Sequence, residues 1–193
     1  MDLASADSVQ SAVAQIDAMF GTVDLLVNNG AGWLENRPPF EASQVLDVVN
    51  SAVSGTYLLT QGLLPLLERS PGGDIVIIGS VTGLPNASLR TASVPFYAAK
   101  RAQAALAEGF AQQLANSSVR IITVHPPDLD DISPLAPEWE RAADRTRPMR
   151  ASNRDVVESV LFAIGRARNI ALSIVIDGGA GGFSIAHSPP RPS

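Results

Sequence analysis

Apolar positions recur along this chain with two alternating periods. Residues 7–20 place Val9, Val13, Ile16 and Met19/Phe20 at helical spacing, with Ser5 and Asp7 as caps and Gly21 as the stop. Val23 to Val27 is a short apolar run carrying one acid, Asp24, and the following Asn28-Asn29-Gly30-Ala31-Gly32 breaks it into a loop. From 41 to 69 a long helix is expected, with Val45, Val49, Ala52, Thr56, Leu59 and Leu63 on one face. Three further apolar runs at 75–78, 119–124 and 171–176 read as strands, and 96–115 and 153–168 read as helices. A loop is expected after Ser80 to about Pro95. A Pro/Asp/Arg-rich segment spans 126–150. Strands that are apolar throughout and alternate with helices point to an α/β fold. The expected architecture is a doubly wound parallel sheet of about four strands, covered on both faces, with right-handed crossovers. One domain over 1–182 accounts for all of these elements, and the Gly- and Pro-rich residues 183–193 read as a flexible tail.

Composition narrows the function classes. The 193 residues are 46% hydrophobic and 17% charged, greasy enough that some apolar surface is expected to go to a partner. Net charge is -5 and no Lys/Arg cluster forms a basic stripe, which argues against nucleic acid. Cysteine is absent, which removes disulfides and thiolate metal sites; the two histidines, His125 and His187, are far apart, so no metal site is expected. No apolar run reaches the roughly 18 residues of a membrane span, and Met1-Asp2-Leu3 has no signal-like character. The expectation is a soluble, cytoplasmic protein.

In a doubly wound sheet, ligands bind outside the carboxyl ends of the strands. Here those positions are Asn28-Asn29-Gly30-Ala31-Gly32, Gly79-Ser80, His125-Pro126-Pro127-Asp128 and Asp177-Gly178-Gly179. Small residues and turn formers cluster there, as a cleft for a flat ligand requires.

Five stretches of the chain resemble, in order, the short-chain dehydrogenase/reductase family. Asn28-Asn29-Gly30-Ala31-Gly32 is similar to its Asn-Asn-Ala-Gly motif with one extra glycine. Ile77-Ile78-Gly79-Ser80 resembles the strand delivering its serine, and Phe96-Tyr97-Ala98-Ala99-Lys100 its Tyr-x-x-x-Lys helix start. Val124-His125-Pro126-Pro127 resembles the strand ending in Pro-Gly, and Ile176-Asp177-Gly178-Gly179 the closing strand. The resemblance implies a Rossmann-like fold and NAD- or NADP-dependent hydride transfer between an alcohol and a carbonyl of a small-molecule substrate. It implies Ser80, Lys100 and a tyrosine as catalytic residues. It also implies Asp2, Asn28, Asn29, Gly30, Ala31, Gly32, Lys100 and Pro126 as cofactor contacts. Segment 126–150 corresponds to the substrate-covering loop, and helices 41–69 and 96–115 to the pair through which the family dimerises, so a homo-oligomer is expected.

The chain departs from that pattern in four places. The N-terminal glycine-rich βαβ unit that grips the pyrophosphate is missing from these residues, so the sheet is expected to be incomplete. Four residues before Lys100 stands Phe96, not tyrosine. The small-residue frame places Phe96 in the catalytic slot; a one-residue deletion would instead let Tyr97 serve, since i and i+3 share a helix face. The helix asparagine's position holds Ala52, with Asn50 about 200° around an ideal helix. Pro127 replaces a glycine and removes an N–H. Two other readings stand beside an impaired oxidoreductase. One is a non-catalytic remnant that works by binding, because losing the first strands uncovers an edge of the 23–27 strand. The other is a hydrolase using Ser80, His125 and one of Asp128, Asp130 or Asp131, although Gly79-Ser80-Val81-Thr82-Gly83 is no nucleophile elbow.

Overall fold

The structure, a computed structural model, describes residues 1–178 other than 88, 90, 147 and 148. The tail expected at 183–193, the glycines of 179–182 and His187 lie outside the described residues. Four parallel strands form one sheet in the order β1 (Leu25–Asn28), β2 (Asp74–Ile78), β3 (Arg120–His125), β4 (Ser173–Val175). Period-two alternation sorts their side chains. Leu26, Ile75, Ile77 and Ile121 pack with Val9 of α1 (Ala6–Met19), Leu59, Leu63 and Leu67 of α3 (Thr56–Arg69) and Phe110 of α4 (Val94–Gln113). Val76, Ile78, Ile122 and Val124 point the other way and pack with Val156, Val160 and Ala163 of α6 (Asn153–Ile164). The expected two-sided α/β sheet is therefore present. Each fully buried side chain of this kind stabilises the fold by about 1.5–3 kcal/mol.

Coverage stops at β1. Leu25 and Val27 share the α6 side of the sheet, by register with Asp74 and Val76, yet remain 39% and 40% exposed. β1 is also an edge strand. Among the described residues no strand pairs with its outer side.

The helix expected over 41–69 is three pieces. α2 (Ala42–Val49) runs into a π-helical turn (Asn50–Gly55), which passes into α3. The cause lies at Gly55: a Cβ there would collide with the backbone of Leu3, which crosses the helix at that point. The wide turn and the missing side chain together admit the N-terminal segment. Angular counting on an ideal helix therefore misplaces residues 50–55 relative to their neighbours. Two ends also differ from expectation. Helix α4 starts at Val94, because the Ser93 hydroxyl accepts from Phe96 N–H (3.2 Å) and Pro95 is tolerated in the first turn. Helix α6 stops at Ile164, ahead of Gly165. The 126–150 segment contains the short α5 (Pro137–Arg141), and the ion pairs Asp130–Arg145 (2.8 Å) and Asp128–Arg150 (3.0 Å) close it on itself. No described helix is long and apolar enough to cross a membrane.

Candidate functional site

The carboxyl end of β2 meets the first turns of α4, where Lys100 donates to the Ile78 carbonyl. The loop after β1 is held in place by neighbours. Ser51 Oγ accepts from Gly32 N–H (2.9 Å), and Asn28 Nδ2 donates to Thr60 Oγ1 (3.0 Å) while its buried Oδ1 has no partner. Ala31 packs against the cluster beneath it; Asn29 and Gly30 are exposed at its mouth. Asp2 sits apart from these, in a local turn ahead of α1, where its carboxylate accepts from Ala4 N–H (2.9 Å) and its N–H donates to Ser8 Oγ (2.8 Å).

After β2, Ser80 is half-buried and its hydroxyl oxygen accepts from Thr82 N–H (3.1 Å), closing a short 3-10 turn. The carbonyl of Pro126 accepts from Val81 N–H (2.9 Å), which ties the ends of β2 and β3 together. Lys100 is buried on α4. Its amine donates to the Ile78 carbonyl (3.3 Å) and to Gln103 Oε1 (2.9 Å), and desolvation lowers its pKa to about 8.

Phe96 fills the space beside that amine. Lys100 Nζ lies 5.9 Å from the centre of its ring, and Trp33 meets the same ring edge-on at 4.6 Å. Phe96 is 7% exposed and belongs to one apolar cluster with Leu34, Val48, Ala52, Ala92 and Ala99. So the two positions where the resemblance expects a tyrosine and an asparagine, 96 and 52, are packed against each other's surroundings without a polar atom. Tyr97, about 100° further round the helix, is half-buried. Trp33 is held there because the loop is stapled to the approach of α4: Ser93 N–H donates to the Leu34 carbonyl (3.1 Å) and Asn36 N–H to Thr91 (2.9 Å).

His125 is buried under the Gly79 turn, so close that a Cβ at Gly79 would meet its ring. Burial lowers its pKa, partly opposed by a bond to the Ser80 backbone. Its Nδ1 has no partner, while Asp128 and Asp130 are engaged by arginines. Serine, histidine and carboxylate are near in the fold without forming a relay. The described residues hold no cluster fit for a metal.

Sequence reasoning passed over Trp33, Ser51, Thr56 and Gln103. Gln103 and Thr56 carried a visible signal, each a polar residue on a buried helix face. The others act through contacts remote in sequence.

A family model described as short chain dehydrogenase matches residues 1–142. An uncharacterized oxidoreductase of Staphylococcus saprophyticus is 23% identical over 178 residues, 91% of this chain and 71% of that protein. One of Bacillus subtilis is 32% identical over 126 residues, 65% of this chain and 48% of its own length. Among solved structures, a putative short-chain dehydrogenase/reductase from Burkholderia xenovorans superposes with TM-score 0.75 at 29% identity, over 92% of this chain and 71% of the other. A metagenomic short-chain oxidoreductase, solved in complex with NADP, shares the fold with TM-score 0.71 at 19% identity, again over 92% and 71%.

Proposed function

The chain belongs to the short-chain dehydrogenase family, and from that premise we propose that these 193 residues form a dehydrogenase-type cleft that does not turn over. The cofactor class it descends from is NAD or NADP. Bound in the family's manner, such a dinucleotide supplies a hydride. The residues present fit only part of it. Ser80, Lys100 and the 28–32 loop offer polar groups of the kind a ribose and an amide need. A pyrophosphate needs helix N–H groups behind a glycine-rich turn. The helices that follow strands here start instead behind Pro38-Pro39-Phe40-Glu41, Thr91-Ala92-Ser93 and Arg150-Ala151-Ser152. Glu41 even places an acid at the α2 cap.

The observation that carries the reading is Phe96 between Trp33 and Lys100. A phenyl ring neither gives nor takes a proton, so the slot beside the lysine has no acid or base. Calorimetric titration with NADH and with NADPH is expected to show no saturable micromolar binding. The Phe96→Tyr variant is expected to remain inactive for the same reason, loss of cofactor affinity. Saturable binding together with turnover by the unmodified chain overturns the proposal.

A second reading, a subunit that works by association, is favoured by the open β1 edge and by the exposure of Leu46 and Tyr57 on α2 and α3. Light scattering behind a sizing column is expected to give a mass above 20.2 kDa. A stable monomer with a cooperative melt overturns it.

A further inference from the structure

Lys100 is the only lysine in the chain; the other thirteen of its fourteen basic residues are arginine. Where the chain has one ammonium, it has also built a polar enclosure for it. The amine donates to the last carbonyl of β2, Ile78, and to Gln103 Oε1 one turn along α4. Gln103 is 0% exposed, and its Nε2 donates to Thr56 Oγ1 at 3.2 Å. Thr56 is itself 0% exposed and opens α3, just past the π turn. The chain of contacts thus joins β2, α4 and α3.

The amide has one workable orientation. With its NH2 on Thr56 its oxygen faces Lys100; reversed, two donors would confront each other at the amine. The ammonium, a donor only, therefore decides which end of Gln103 it meets, and the Thr56 hydroxyl anchors the other end by accepting from Nε2. An ammonium has three N–H donors and two are taken, which leaves one for a group arriving in the cleft.

We propose that Gln103, braced by Thr56, is a positioning residue for Lys100: it fixes the ammonium at the carboxyl end of β2 and leaves one donor toward the cleft before any ligand arrives. This rests on the cleft being the functional site of the family, but not on whether a dinucleotide binds to these residues. Space-filling alone does not call for a glutamine here. Leucine would occupy a similar volume without two buried polar ends needing partners.

Charge state follows position. Gln103 supplies an acceptor to the protonated amine, which favours that form against the burial that opposes it. The groups facing the amine include His125 from β3, and the carboxylate of Glu108 lies further along α4.

The experiment is an NMR pH titration of the intact chain carrying 13Cε-lysine, whose single lysine gives one side-chain signal. No dinucleotide is added, so failure of the cofactor reading leaves this result unaffected. The unmodified protein is expected to titrate near pH 8. Gln103→Leu is expected to lower the midpoint by about one pH unit, a tenfold loss of the protonated form. Gln103→Glu is expected to raise it, and Thr56→Val to lower it by removing the anchor of the amide's other end, so that Gln103 Oε1 is held less firmly against the amine. Thr56→Val and Gln103→Glu also cover the case in which the leucine variant does not fold. If Gln103→Glu and Thr56→Val both leave the midpoint where it is in the unmodified protein, Gln103 only fills space and the proposal falls. A midpoint at the ordinary lysine value in the unmodified chain overturns it equally, because the amine then lies in water.

Discussion

Arg120→Met is expected to lower the unfolding free energy by about 3–5 kcal/mol. The guanidinium is 4% exposed and every face of it is used. It bridges both carboxylate oxygens of Asp74 (2.9 and 2.8 Å) and donates to the carbonyls of Ile164, Arg166, Ala167 and Ile170 at 3.1–3.2 Å. Those carbonyls are the unpaired end of α6 and the turn beyond it. One side chain therefore locks the amino ends of β2 and β3 and stops the helix that covers the second face of the sheet. Methionine keeps much of the volume but leaves a buried carboxylate with only Arg168, whose side chain is 41% exposed, and withdraws a donor from four carbonyls, of which Ala167 keeps the Ile170 N–H. Arg168→Met, by contrast, leaves Asp74 its bidentate partner and is expected to cost no more than about 1.5 kcal/mol. Urea unfolding at neutral pH followed by circular dichroism compares the two. Equal costs at positions 120 and 168 would show that the buried geometry carries no special weight. The larger loss matters because a domain of this kind has about 5–15 kcal/mol in total.

This cluster also shows what the sequence discloses and what it withholds. The apolar runs that became β2 and β3 were legible because both faces of a central parallel strand are buried, so few polar residues interrupt them. Asp74 stood just ahead of one run and Arg120 second in the other, where each looked like an ordinary strand boundary. Their pairing depends on strands 46 residues apart lying side by side, and on α6 ending above them. The same limit explains the π turn. Nothing in Asn50-Ser51-Ala52-Val53-Ser54-Gly55 announces it, because its cause is the backbone of Leu3 pressed against Gly55. In the cleft, Ser80, Phe96 and Lys100 stood out through their resemblance to the family's motifs, and the structure brings Phe96 and Lys100 together. That Trp33 covers Phe96 was hidden, since it rests on the staple between the 34–36 segment and residues 91–93. Periodicity reports what a residue does within its own element, and the chemistry of this cleft is made between elements.

Lys100→Met is expected to stabilise the protein at neutral pH, by an amount that shrinks as pH rises. The lysine is held at a pKa of about 8 in the folded state against 10.5 when unfolded, through desolvation. Between those values the unfolded chain carries a proton that the folded chain lacks, so stability rises with pH through that window. Below pH 8 both states are protonated and the burial cost is constant. A difference of about 2.5 pH units, at about 1.36 kcal/mol each, sets that cost near 3 kcal/mol. The methionine variant carries none of it, so its advantage over the unmodified chain is expected to close by about 3 kcal/mol between pH 7 and 10.5. Tyr57, Tyr97 and the arginines are common to both proteins and cancel in the comparison. The bonds to Gln103 and Ile78 favour the protonated amine and are already contained in its folded-state pKa, so the change of the difference with pH, not its offset, is the decisive quantity. Urea unfolding of the two proteins across that range measures it, and a flat difference would place the amine in solvent. An advantage that closes as pH rises would mean that this chain bears a destabilising buried amine where an apolar side chain would fit. Such a cost is characteristic of a site built for chemistry. Phe96 beside it is a ring with no proton to exchange, packed against Trp33, while Ile78 and Gln103 hold the amine.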